Sequence, residues 1–493
     1  MLGPERFFFL NEEGGLDEGW NPANRSRLWV YNLHYFDDLN ARGAQRRAEW
    51  HRSLIRRWIR ENAPGEGTGW EPYPISLRVV NWIKWVLGSD LEVPLESEFL
   101  DLMAQSLAVQ ARFLERRLEH HLLGNHLLAN AKALVFAGLF FQGAEAEKWL
   151  YQGFQILERE VSEQVLSDGG HFERSPMYHA IVLEDLLDLV NLAEVYTQQL
   201  GVKQVSAWRK IAKRMMTWLS AMVHPDGEIA LFNDAAFGVA AKFAELSTYA
   251  ERLRISIPKS FQQDILSLED SGYLRISSGP AVAFLDAAPL GPDYLPGHGH
   301  ADTLTFELSL WGRRVIVDSG TSTYDAGEER EKQRGTLAHN TVVIDGENSS
   351  EVWGSFRVAR RAKPSRLSVE GADGFIVVQC SHNGYSRLPG HPIHNRKWYL
   401  GPKSLRIEDR MSGRFSRAVA RYHFHPEIKA QTLSTNEGKA LLVDGRKFRW
   451  TISGGEGHLI ETSYHPEFGL TIQNPCLEVC LKGSKAATEF SWM

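Results

Sequence analysis

Cysteine is scarce in this chain: Cys380, Cys476 and Cys480 are the whole set in 493 residues. An odd and sparse count argues against a disulfide framework, and the dispersal argues against a cysteine-based zinc site. The three read as small buried hydrophobes. Long apolar runs are also lacking. No stretch approaches the roughly 20 residues that a membrane helix needs, so no membrane span is expected. From Met1 to Gly15 the only apolar run is Phe7 to Leu10, followed by Glu12 and Glu13. That is not a signal peptide. It points to the cytoplasm unless a leader has been removed, in which case the periplasm is the alternative. Positive charge is not in excess either: 55 Lys and Arg face 61 Asp and Glu, a net charge of −6. This removes nucleic acid as a default partner. It still allows a polyanionic substrate, because a local cluster of Arg and His can set the field within a cleft.

What is present is ordinary for a globular protein, with 43% hydrophobic and 24% charged residues. The length allows two or three domains, each with a sizeable core. The grammar changes along the chain. From Gln45 to about Arg254 it is helical. Glu98 to Leu118, Glu145 to Val165, His179 to Leu200 and Ser206 to Val223 carry apolar residues at three- and four-residue spacing. Leu127 to Phe141 is apolar nearly all round, as expected of a central helix with little solvent contact. Two turns, Ser167-Asp168-Gly169-Gly170 and Pro225-Asp226-Gly227-Glu228, lie about one helical hairpin apart and suggest a repeated unit. Repeated helix pairs can curl into a toroid; a simple bundle is the competing arrangement.

After Phe261 the chain turns to short strands. Tyr273 to Ile276, Ala281 to Leu285, Thr303 to Leu310, Arg314 to Val317, Asn340 to Ile344, Gly374 to Gln379 and Lys397 to Leu400 are separated by Gly and Asp turns. Such a run predicts an antiparallel sandwich. The join lies near Ile255 to Asp270. The division expected is an N-terminal segment over 1–44 packing on a toroid over 45–260, with the sandwich over 261–493.

Three polar constellations could carry chemistry. The densest is Gly297-His298-Gly299-His300-Ala301-Asp302, followed by Asp318-Ser319-Gly320 and Ala338-His339-Asn340-Thr341. Two imidazoles and a carboxylate could hold zinc, although histidines in surface loops fit the same spacing. A straight hairpin turning at Gly312 would set Asp318 beside about Thr305 rather than His300. The second constellation is Gly124-Asn125-His126, opening the apolar helix, where Asn also suits an N-cap. The third is Gly169 to His179, in which Pro176 suits a first helical turn and places Tyr178 at its rim. Tyrosines are more often packing residues. Arg174 and Arg334 could meet a substrate carboxylate or sit solvated. His391, His394, Arg396, His423 and His425 read as residues facing a groove or solvent. Aromatics crowd the N-terminal region: Trp29, Tyr31, His34, Tyr35, Phe36, Trp82 and Trp85 among them. Trp70 and Tyr73 are the candidates for stacking on sugar rings, with core packing the alternative.

Arg27-Leu28-Trp29 with Tyr31 to Phe36, Asn125-His126, Glu173 to His179, Gly297 to Asp302, Asp318-Ser319-Gly320 and Ala338 to Thr341 together resemble the heparinase II/III-like superfamily, which includes alginate lyases. The resemblance covers most of the chain, and the order of the pieces is what makes it specific. It implies an (α/α) toroid followed by an antiparallel β-sandwich. It also implies a polysaccharide lyase that cleaves a uronic-acid-containing polymer by β-elimination. In those terms Asn125, helped by His126, neutralises the uronate carboxylate. Tyr178 protonates the leaving oxygen, and in some members it also removes the C5 proton. His298 is a base or orienting group, and His300, Asp318 and His339 hold a largely structural zinc. Two rivals stand beside this. A glycoside hydrolase would need two carboxylic acids, for which Glu71, Glu173 and Asp226 could be proposed. A non-catalytic glycan-binding or exopolysaccharide assembly protein would keep the fold alone. The sequence leaves the polymer and the oligomeric state open.

Overall fold

The computed structural model describes residues 1–88, 95–257 and 263–493. The chain falls into two compact units. One comprises Met1–Gln164 with Leu192–Gly201, the other Val165–Asn191 with Val202–Met493. The expected join and the 260/261 boundary fall in part on residues 258–262, outside the described residues. Among the described residues no helix is long and apolar enough to cross a membrane.

The first unit is helical. Its main helices are Arg27–Tyr35, Ala48–Glu61, Pro72–Gly88, Ser97–Glu115, Gly124–Phe140 and Ala144–Gln164. Ser26 starts the first of them, its hydroxyl accepting from the Trp29 backbone N–H at 3.2 Å. Gly124–Phe140 is the expected central helix, buried along almost its whole length. It pairs with Ala144–Gln164 through two glycines. A Cβ on Gly138 would meet the Leu150 backbone nitrogen at 2.6 Å, and one on Gly153 the Ala131 carbonyl at 2.7 Å. The N-terminal aromatics form the core of this unit: Trp29, Trp58, Trp82 and Trp85 are all buried in one cluster with Leu107 and Leu134.

The second unit begins with the two look-alike turns. Val165 bridges His171, and Val223 bridges Ile229. In each, an aspartate closes the turn: Asp168 accepts from the Gly170 N–H and Asp226 from the Glu228 N–H. The sequence repeat is therefore a structural repeat. Helices Pro176–Val195 and Val202–Ala221 follow the first turn.

The strands then form antiparallel sheets. One has five strands in chain order from Ile265–Leu268 to Arg313–Ile316. A second has eight, with Ser404–Ser412 beside the C-terminal Lys485–Trp492 near its middle. A third has four, with Ala418–His423 and Ile472–Leu481 inside. The alternation is clean: Lys447–Ser453 buries every second residue. Trp398, Trp450, Tyr422, Phe424 and Phe490 meet Phe306 and Ile316 in one apolar core. The predicted strands stand within a few residues of their places, except that Thr303 to Thr305 lie outside the strand Phe306–Leu310.

Candidate active site

In the first unit the site residues cluster at one helix start. Leu123 and Gly124 both have positive φ, 58° and 55°, so the chain turns sharply into the helix. Gln164 fixes the turn by donating to the Gly124 carbonyl at 2.9 Å. Asn125 is 6% exposed, and its amide has no hydrogen-bond partner among the described residues. His126 is held on two sides. Its Nδ1 meets Glu119 at 3.1 Å, and its ring lies on Tyr73 with centroids 4.4 Å apart. Asn130 locks Glu119 in turn, donating to its carboxylate at 2.9 Å and accepting from its backbone N–H. Tyr73 is half-buried at this place. Trp70 is not a sugar platform. It is buried, packs on Trp58 and Phe113, and donates its indole N–H to the Asn62 carbonyl.

In the second unit Tyr178 and His298 stack face to face, centroids 4.0 Å apart and planes 13° from parallel. The order around them comes from the backbone. Ser175 caps the helix Pro176–Val195, accepting from the Tyr178 N–H at 3.2 Å and donating to the Asp234 carbonyl at 2.6 Å. His298 Nδ1 bonds the buried Glu173 carboxylate. A carboxylate only accepts, so Nδ1 carries a proton, and in the neutral imidazole Nε2 is the accepting nitrogen. The Tyr178 hydroxyl bonds that of Tyr324 at 3.0 Å. Loss of water around its ring and the charge of Asp234 raise the Tyr324 hydroxyl well above the usual phenol range. It therefore stays a proton donor. Arg330 lies over the Tyr324 ring at 5.1 Å.

Asp234 ties these pieces together. It accepts from both terminal nitrogens of Arg330, at 2.5 and 2.7 Å, and from His300 Nε2 at 2.8 Å. Its backbone N–H donates to the His298 carbonyl. The buried guanidinium and the imidazole hold its carboxyl far below the usual range. Neighbouring Asn233 accepts from the His300 N–H and donates to the Arg174 carbonyl.

Neither arginine expected to meet substrate is free to do so. Arg334 is wholly buried and donates to the carbonyls of Gly299, Trp353, Gly354 and Arg357. Burial lowers it to about 10. Half-buried Arg174 donates to the carbonyls of Ser271, Phe172 and Asp270. Both pin loops. His394 and Arg396 do not face a groove: both are buried on Asp409. His423 is buried as well, bonding the Leu337 carbonyl. The exposed aromatic shown beside His298 is instead Phe356, whose ring is 6.0 Å from it, while exposed Tyr294 packs on Phe172.

The resemblance implies zinc at His300, Asp318 and His339. Two orphaned nitrogens favour it: His300 Nδ1 and His339 Nε2 are buried without a hydrogen bond, on rings 5.3 Å apart. Asp318, however, meets His339 Nδ1 at 2.8 Å, and His300 turns its Nε2 to Asp234. Burial pushes Asp302 up to about 7, with His339 opposing and Asp318 adding to the rise. Among the described residues no three His, Cys, Asp or Glu side chains stand ready to hold an ion. A zinc site needs about four converging donors. The trio as folded does not fit zinc, so no chemical step is routed through a metal. The hairpin register sets Leu308 opposite Ile316, and His339 lies between Asp318 and His300, bonded to the first and 5.3 Å from the ring of the second.

Known proteins share this sequence and fold. The Heparinase II/III N-terminus profile matches residues 26–255, and the Heparinase II/III-like C-terminal profile matches 262–493. The chain belongs to the heparinase II/III-like family. A heparin-sulfate lyase of Bacteroides thetaiotaomicron is 26% identical over 431 residues, covering 77% of this chain. The chain spans only 59% of that lyase's length. The FtsZ-localized protein C of Caulobacter vibrioides is 25% identical over 459 residues, 87% of this chain and 75% of that one. A crystal structure of a mutant heparan sulfate lyase HepC from Pedobacter heparinus superposes with a TM-score of 0.68 at 19% identity, over 99% of this chain and 81% of that one. The fold is thus that of the family, a helical toroid followed by a β-sandwich.

The sequence offers Glu173 only as a hydrolase acid and does not single out Asp234, Tyr324 or Arg330. Tyr324 lies four residues beyond Asp318-Ser319-Gly320, and that proximity is the one signal that could have found it.

Proposed function

We infer that this protein is a polysaccharide lyase acting on a uronic-acid-containing polymer by β-elimination. The observation that carries the reading is the Tyr178–His298 stack, with Glu173 fixing the imidazole and Tyr324 bonded to the phenol. In the reaction the C5–H and C4–O bonds break and a C4=C5 double bond forms. His298 Nε2 takes the C5 proton, and the Tyr178 hydroxyl gives its proton to the departing glycosidic oxygen. Tyr324 then donates to the Tyr178 oxygen and steadies the phenolate, with Arg330 supplying positive charge nearby. Asn125 takes the uronate carboxylate. Its neutral amide lets the carbanion form beside that group by stabilising an enolate-like oxygen.

The hydrolase rival has little support. Each carboxylate that could be proposed for it is already engaged: Glu71 by Arg27 and Tyr31, Glu173 by His298, Asp226 by Arg314. The non-catalytic reading has one observation in its favour, the similarity to a protein named for FtsZ localization. The deciding experiment offers a panel of uronate polymers, heparan-sulfate-type first and bacterial exopolysaccharides next, and follows ultraviolet absorbance. A lyase produces a new unsaturated chromophore. Saturated reducing ends would instead indicate hydrolysis, and binding without any product would favour the assembly role. Metal analysis of the same sample addresses zinc, with His300 Nδ1 and His339 Nε2 as the nitrogens left without a hydrogen bond.

A further inference from the structure

Away from the stacked rings, the second unit carries a cleft of about 540 Å³ whose charge is opposite to that of the protein. Arg360, Arg361, Lys363 and Arg387 line it together with Asp293, and Glu351 and Glu347 reach Arg360 and Arg387 from beside it. The net charge of the whole chain is −6. Such a local concentration of cations focuses a positive field within the cleft.

Three of the four cations are held in place. Arg360 is gripped by both oxygens of Glu351, at 2.6 and 2.8 Å. Arg361 donates to Asp293 at 3.0 Å and to the Asp293 carbonyl at 2.8 Å. Arg387 donates to the Asn348 carbonyl at 2.5 Å. Lys363 is exposed, and its ammonium has no partner among the described residues. The pairs with Glu351 and Asp293 are solvent-exposed, and such pairs are worth only about 0–1 kcal/mol. An arriving anion can therefore share these guanidinium groups at little cost, and they are already oriented for it.

The cleft is also linked to the stacked rings through short stretches of chain. Phe356, whose ring is 6.0 Å from that of His298, is four residues from Arg360, a span of at most about 14 Å. On the other wall, Arg361 fixes the carbonyl of Asp293, five residues before His298. Arg334 clamps the intervening segment through the carbonyls of Trp353, Gly354 and Arg357.

We propose that this cleft is an anchoring subsite that binds sulfate or carboxylate groups of the polymer at sugars beyond the one being cleaved. The proposal rests on the lyase reading for the identity of the polymer.

The test measures binding of a heparin-derived oligosaccharide by calorimetry, using the full chain with Tyr178→Phe so that no turnover occurs. It compares that protein with one also carrying Lys363→Glu and Arg360→Gln, at about 0.05 M and about 0.2 M NaCl. The expected result is about tenfold weaker binding and a flatter salt dependence in the cleft variant. In the active background, KM for the polymer should rise by a similar factor while kcat is retained. A chemically desulfated oligosaccharide separates the two anions: loss of the cleft's contribution assigns it to sulfate, retention to carboxylate. Lys363→Glu alone serves as a second variant, since an exposed and unpartnered lysine has no part in folding. Equal affinity and equal salt dependence in all variants would overturn the proposal. Should the wild type release no unsaturated product from any polymer while the cleft variants still weaken oligosaccharide binding, the lyase reading fails and the subsite stands.

Discussion

The two units hold their polar groups in different ways. In the first, Asn125 and His126 belong to one helix start and are supported mainly by Glu119, Asn130 and Tyr73. In the second, Tyr178, His298, Tyr324 and Asp234 come from four separate segments, and the hydroxyl pair alone joins residues 146 apart in sequence. A locally built site keeps its shape when one side chain is changed. A site built from distant segments depends on every tie.

That contrast can be broken or sharpened by experiment. The largest effect is expected for Tyr178→Phe, which should lower kcat by about 100- to 10,000-fold, the range for removal of a positioned acid or base. Its melting temperature should barely change, and steady-state ultraviolet assays beside a thermal scan check both. Next is Arg330→Met, which leaves Asp234 charged and buried without its bidentate partner. Breaking such a pair costs about 3–5 kcal/mol, measured by urea unfolding. By comparison, Asn125→Ala should cost about 100- to 1000-fold in rate, as for a lost oxyanion donor, with stability unchanged because the amide bonds nothing in the described fold. A large loss of stability in that variant would mean that the first unit is no more local than the second.

The smallest effect is a pH response. His34 in the first unit and His171 and His179 in the second are buried and held at about 3, 4 and 3, below the ordinary 6.5. They are neutral in the fold, whereas the unfolded chain takes up a proton below about 6.5. Their contribution is therefore intact above that pH and is lost as pH falls toward the folded values. Each histidine should remove about 1 kcal/mol by about pH 5.5. Peptide-resolved hydrogen exchange should show the second unit, with two of the three, losing protection first.

Much of this molecule was legible because its signals are local. The helix periodicities, the strand alternation, the paired turns and the Ser175-Pro176 helix start each lie within a few residues of one another. What could not be read is set by distant contacts. Trp70 looks like any flat aromatic until Trp58 and Phe113 close over it. Arg334 looks like a loop cation until four carbonyls, three of them from 19 to 23 residues further on, surround it. Asp234 sits in the plain stretch Phe232-Asn233-Asp234-Ala235-Ala236, where no spacing marks it. The metal trio meets the same limit: spacing proposes donors, but only the packed interior decides which way each carboxylate turns.

The paired turns at Val165–His171 and Val223–Ile229 carry one more consequence. Both close through a like backbone bridge and a like aspartate, and each aspartate is also anchored to the sheet that follows, Asp168 by Ser271 and Asp226 by Arg314. One exit launches the helix that presents a phenol; the other runs into the strand-free stretch that presents a carboxylate. Chemistry is thus delegated to the exits, and a relative could exchange its reacting groups there while leaving both frames untouched.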